Sequence, residues 1–220
     1  MRKKAYILLI ITALLLGSCS QASFPDAYDS ADRSSMEMRA VVTVKQDTDG
    51  TVFFQLGDEE RLFPVPSYDF SRQERVMTSL TVYAEEVPLY GHTARVNWAE
   101  PLEQGPIMYT LDATYNDGLD VVEDWISSVE DGYLTVHYNT WWGETSLHHD
   151  LALVPGPGPM DLTLIHTANG DSKDVYSDGI VYFDINGQLP QTDTYKTLTL
   201  HWTDTKGRSA SRSFEFKTRK

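Results

Sequence analysis

Hydrophobic and polar positions alternate along most of this chain, and the alternation has the period of two expected of strands. Little helical periodicity appears beyond residue 35. Met38–Lys45 carries Val41, Val42 and Val44, and Asp47-Thr48-Asp49-Gly50 then reads as a tight turn. An Asp-Gly step suits such a turn because glycine tolerates the positive backbone angle required. Thr51–Leu56 follows as the partner strand, and Arg61–Val65 is a short strand closed by Pro64 and Pro66. Val76–Glu85 and Thr93–Ala99 complete five segments. Five short strands fit a small barrel of the OB type, and the pattern fits other small barrels equally well.

Pro101–Asp117 reads as a loop, with a strand at Ile107–Leu111 as an option inside it. Beyond it the alternation is cleaner. Leu134, Val136 and Tyr138 share one face, opposite Thr135, His137 and Asn139. Further apolar phases are Leu147, Leu151 and Leu153; Leu162 and Leu164; and Val181, Phe183 and Ile185. Leu198, Leu200 and Trp202, then Phe214 and Phe216, close the series, with Thr203–Gly207 as a hairpin turn. Pro155-Gly156-Pro157-Gly158-Pro159 must interrupt any ladder, since proline has no amide donor. The expected fold is all-β: an OB-like small barrel over 37–104, then an antiparallel β-sandwich over 105–220.

The N-terminus follows a different pattern. A basic start through Lys4 leads into an apolar run, Ala5–Leu16, broken only by Thr12. That run is shorter than the about 20 residues a membrane span needs, and it suits the apolar region of a signal peptide. Leu16-Gly17-Ser18-Cys19 follows, and it resembles the bacterial lipobox. The resemblance implies cleavage after residue 18 and lipid on Cys19, which anchors the chain to a membrane. Cys19 is the only cysteine, so no internal disulfide competes for the thiol. Residues 19–36 are polar, without apolar periodicity, and read as a flexible tether. The expected address is the outer membrane, with the surface and periplasmic faces both open.

Charge narrows the partners. The formal net charge is -14, and loss of Arg2, Lys3 and Lys4 with the signal takes it to -17. Such a surface repels nucleic acid, so no nucleic-acid partner is expected.

Candidate chemistry is sparse. His148-His149-Asp150 borders a strand, where neighbouring side chains point to opposite faces. His137 and His149 become cross-strand neighbours if their strands form a hairpin. Structural zinc takes about four ligands, and neither a second cysteine nor an HExxH motif is present, so no metal is expected. Asp47–Gly50 and Asn169-Gly170-Asp171 resemble parts of calcium loops, but turn chemistry accounts for both. No GxSxG or phosphate-binding glycine loop occurs. No catalytic residue and no cofactor are assigned. Trp141-Trp142-Gly143 is placed in a hairpin turn. There the tryptophans serve either as a hot spot for a protein or carbohydrate partner or as a cap against the barrel.

The order of these segments resembles a known family. Glu37–Gln104 is similar to the N-terminal OB-type domain of NigD-like proteins, lipoproteins of Bacteroides and its relatives. Asp124-Trp125-Ile126 and Asp131-Gly132-Tyr133-Leu134-Thr135-Val136 resemble the start of that family's C-terminal sandwich. So do His149–Val154, Leu164–Asn169 and Ile180–Ile185. The family takes its name from a bacteriocin gene cluster and brings no established enzymatic activity and no site residues. The resemblance therefore implies a non-enzymatic envelope lipoprotein that binds an unknown envelope protein or glycan. A surface glycan or peptide hydrolase is one alternative, and a structural or adhesive subunit is another.

Overall fold

A computed structural model describes residues 35–87, 91–110, 113–143 and 147–219. The signal segment, Cys19 and nearly all of the tether lie outside the described residues.

Five strands, β1 (Ser35–Gln46), β2 (Val52–Leu56), β3 (Glu60–Pro64), β4 (Glu74–Val87) and β5 (Gly91–Pro101), close into a barrel. Their order is β1-β2-β3-β5-β4, with β3 and β5 parallel. The β1–β2 turn falls at Asp47–Gly50, where Gly50 has φ 89° and its amide donates to the Asp47 carbonyl at 3.0 Å. Inside pack Val42, Val44, Phe54, Leu62, Val76, Leu80 and Ala94, every one buried. Closure leaves no open edge, which a small sheet in water otherwise exposes.

The remaining strands form two facing sheets. One has the order β10-β11-β13-β14, from β10 (Asp150–Pro155), β11 (Asp161–Thr167), β13 (Lys196–Thr203) and β14 (Ser209–Phe216). The other has the order β6-β12-β9-β7, from β6 (Glu103–Gln104), β12 (Val175–Asp184), β9 (Tyr133–Trp142) and β7 (Asp120–Val121). A short β8 (Ser128–Glu130) also pairs with β9. Between the sheets lie Leu134, Val136, Leu153, Leu164, Phe183, Leu198, Leu200 and Phe216. Burying each such side chain contributes roughly 1.5–3 kcal/mol, so the alternating phases drive the assembly.

Several expectations are corrected. β9 and β10 do not form a hairpin. β9 runs in full register with β12, from Tyr133 opposite Asp184 to Trp142 opposite Val175, and its other side holds β7 and β8. β10 joins the opposite sheet through β11. His137 and His149 are therefore not cross-strand neighbours. Trp141 and Trp142 end a strand and do not sit in a turn. Leu147 lies before β10 and is exposed. The sandwich is also not wholly antiparallel, because β11–β13 and β6–β12 are parallel pairs. Glu103 and Gln104, grouped with the barrel on sequence grounds, pair with β12 of the sandwich. Ile107 makes only an isolated bridge to Leu153, and Leu111 lies outside the described residues.

Charged groups join barrel to sandwich. The β8–β9 turn, with Asp131 at φ 51° and Gly132 at φ 73°, points at the barrel. Lys45 bonds Asp131 at 2.6 Å, and the Asp131 amide donates to Asp58 at 2.7 Å. Arg75, wholly buried, donates to Thr43 at 3.1 Å and meets Glu130 at 3.5 Å. Burial pushes the Arg75 guanidinium below its ordinary range and the Glu130 carboxyl above its own, and each opposes the other's shift.

Candidate functional site

The outward face of β9 carries Thr135, His137, Asn139 and Trp141, since their neighbours Leu134, Val136 and Tyr138 enter the core. Register sets β12 residues beside them: Ile180 opposite His137, Asp178 opposite Asn139, and Tyr176 opposite Trp141. Asp120 of β7 flanks Asn139 from the other side.

Two features stand out on this face. The first is aromatic. Trp141 and Tyr176 lie with ring centroids 5.3 Å apart, tilted by 55°, and are 38% and 44% exposed. The two rings touch each other and still leave more than a third of their surface to water. Tyr176 is held in place because its hydroxyl donates to Asp120 at 2.6 Å, and Thr205 donates to the same oxygen at 2.6 Å. Burial, then the bond to Asp120, pushes the Tyr176 phenol up to about 12. Burial raises Asp120, but donation from Thr205 and Tyr176 outweighs it and holds the carboxyl below its ordinary range.

The second feature is His137. Its Nδ1 lies 2.7 Å from Asp124, and its Nε2 lies 3.3 Å from Asp178. Asp124 is pinned by the amides of Ile126 and Ser127 at 3.0 and 3.2 Å. The imidazole is thus locked between a fixed carboxylate and an exposed one. Among the described residues, no group of three or more His, Cys, Asp or Glu has the geometry to hold a metal ion.

Trp142 does something different from its neighbour. Its ring stacks on His149 at 4.1 Å and 16°, and its indole N–H donates to the Ser177 carbonyl at 3.1 Å. His149 bonds Asp171 at 3.1 Å through Nε2 and His166 at 3.1 Å through Nδ1. Asp171 also accepts the Gly143 amide at 2.8 Å. This buried chain ties the segments after β9 and β11 to one another. Burial, then the neighbouring His149, lowers the His166 imidazole to about 4. Asn169-Gly170-Asp171 is part of this tie, with Asp171 turned to His149. His148 points the other way, exposed, 3.2 Å from Glu103.

Of the two tryptophans singled out in the sequence, Trp141 therefore faces water and Trp142 closes the sandwich. The alternative of a cap against the barrel fails for both. The barrel meets the Tyr133 end of β9, and the tryptophans stand at the other end, roughly 30 Å away at strand rise. Sequence reasoning missed Tyr176, Asp120, Asp124 and Asp178. The inward phase of Val181 and Phe183, run back along the chain, puts Tyr176 and Asp178 on the outer face and was the available signal.

A closed five-stranded barrel followed by a two-sheet sandwich, with the Trp141–Tyr176 pair on one outer face, defines an all-β two-part module. Residues 102–216 match the family model of the NigD-like C-terminal beta sandwich domain. The chain belongs to the NigD-like family. Solved structures share its fold. A candidate toxin-related protein from Parabacteroides distasonis has TM-score 0.67 at 20% identity, covering 83% of this chain and 94% of that one. A NigD-like immunity protein from Bacteroides caccae has TM-score 0.56 at 20% identity, covering 86% and 99%. A candidate lipoprotein from Bacteroides fragilis has TM-score 0.58 at 12% identity, covering 84% and 100%. No curated protein sequence matches the chain.

Proposed function

We propose that the chain is a non-enzymatic cell-envelope lipoprotein, held to the outer membrane by lipid on Cys19, whose sandwich binds a protein or glycan. The observation that carries the binding half is the Trp141–Tyr176 pair. Two large aromatic rings are displayed in contact on a strand face that also carries His137, Asn139 and Asp178. Aromatic anchors dominate the energetics of contact surfaces. Asp178 and His137 beside them offer hydrogen-bonding groups for orientation. Family membership supports the setting, and the immunity protein among its structural relatives keeps a bacteriocin-linked role within this reading.

The anchoring half rests on the Leu16–Cys19 tetrad and the single cysteine. Acyl chains contribute about 0.8 kcal/mol per buried CH2, so two or three hold a protein on a bilayer. Cys19→Ala should move the chain from the membrane fraction to the soluble envelope fraction. Retention in membranes would overturn the anchor. For binding, envelope material retained by the native chain should be lost with Trp141→Ala and Tyr176→Ala.

A further inference from the structure

The two sheets of the sandwich differ in how their edges are guarded. β10, at one edge, is covered: the Met108 amide donates to Leu153 at 2.8 Å and Leu153 donates to Pro106 at 3.1 Å. β12 lies next to an edge that is only partly covered. β6 pairs with it solely at Val181 and Tyr182, so Val175–Ile180 have no strand on that side among the described residues. Gly105 donates to the Tyr182 carbonyl on this side, so by alternation the backbone groups of Tyr176, Asp178 and Ile180 face the open edge.

Natural edges are blunted by proline, lysine or bulges. Val175–Ile180 has none of these, and its register with β9 is unbroken. Residues 175–178 are all exposed, with Val175 at 58%. Alternation turns Tyr176 and Asp178 toward the same outer face as Trp141. The one charge on this edge is the Asp178 carboxylate; Lys173 stands just before the strand.

We propose that the open edge of β12 takes an extended basic segment of a partner protein as an added strand, setting a Lys or Arg beside Asp178 and Tyr176. This rests on the reading of the Trp141–Tyr176 face as the binding surface, and names its partner. Main-chain bonds along Val175–Ile180 would supply affinity, and alternate side chains would supply selectivity. A cation beside Asp178 also meets the face of an exposed aromatic ring. Charge selects this occupant over a second copy. Two chains at -17 pairing by this edge would bring like charges together, whereas a basic segment is attracted to it.

The test is a titration of the purified full chain, followed by tryptophan fluorescence, with a blocked peptide of alternating Lys and Thr. Controls are the Glu-Thr counterpart, the Lys-Thr peptide N-methylated on alternate amides, and cellohexaose. The Lys-Thr peptide should bind and weaken with salt, and the Glu-Thr and N-methylated peptides should not bind. Asp178→Lys should weaken binding roughly tenfold. Asp178 is exposed, so this variant should keep the native circular dichroism spectrum. Equal binding of both charge types, or indifference to N-methylation, overturns the proposal. Trp141-dependent binding of cellohexaose without peptide binding overturns it too, but leaves the aromatic face standing as a glycan site. Silence from every probe removes both. Sedimentation showing a dimer that the Lys-Thr peptide cannot dissociate would give the edge to a second copy and also overturn the proposal.

Discussion

The two ends of β9 are built differently. At the Tyr133 end, charged groups are buried or half-buried: Arg75 against Glu130 and Lys45 against Asp131, with the exposed Gln73 donating to the Tyr133 hydroxyl at 2.5 Å. At the Trp142 end, large aromatic groups are exposed, Trp141 and Tyr176 among them. Both ends bury polar groups, since His149, His166 and Asp171 are buried at the second; what sets that end apart is the aromatic pair left at its surface. The difference separates two tasks. Buried ion pairs are costly unless satisfied, so they tolerate one geometry and fix how barrel and sandwich meet. Displayed aromatics cost burial energy that the fold forgoes, and they gain it back only on contact with something else.

The largest effect should come from breaking the buried end. Glu130→Ala leaves the Arg75 guanidinium buried without its carboxylate, which should cost about 3–5 kcal/mol in urea unfolding. Arg75→Met with Glu130→Leu should recover most of that loss, because the uncompensated charge is gone. If the single variant is as stable as the native chain, the charged junction is not what fixes this end.

Next comes the histidine tie at the aromatic end. The His166 imidazole titrates near 4 when folded and near 6.5 when free. Between those values the unfolded chain binds the extra proton, so stability is full above pH 6.5 and falls as pH drops toward 4. The loss should reach about 3 kcal/mol. Unfolding curves across that window should flatten by this amount in His166→Gln; an unchanged pH slope would remove the tie from the account.

Gly179 gives a smaller and sharper test. A Cβ there would lie 2.6 Å from the Tyr138 hydroxyl. Gly179→Ala should cost about 1–3 kcal/mol through overpacking. Gly179→Ala with Tyr138→Phe should return only part of it, since the second change removes the hydroxyl but leaves Cζ 2.7 Å from the same position. If the double variant is no more stable than the single one, the close approach is not the cause.

The same glycine shows where the sequence was readable and where it was not. Barrel strands and the inward phases of the sandwich were legible because alternation is local: Val42, Leu134, Phe183 and Leu198 each announce their face within a few residues. Val175–Gly179 was not, because Ser177-Asp178-Gly179 carries no apolar side chain to mark the strand's inner face. Its glycine is there for a contact made across strands, with Tyr138 of β9. Pairing of β9 with β12, which sets Gly179 opposite Tyr138 across 41 positions of sequence, follows from three-dimensional closure and leaves no local mark. Adjacent tryptophans likewise look equivalent in a sequence. Which one faces water was decided by the strand phase, and that phase was hidden by placing both in a turn. The burial of His149 depended on the stacked Trp142 and on Asp171, neither of which is its neighbour in the chain.

The central claim is that Trp141 is displayed for a partner and that the fold forms without it. Its most direct test compares envelope material retained by the native chain and by Trp141→Ala, with urea unfolding of both alongside. The account predicts that the retained material is lost while the chain stays folded, at a cost of about 1–2 kcal/mol for the covered part of the ring and its contact with Tyr176. Undiminished retention by a folded Trp141→Ala chain would contradict it.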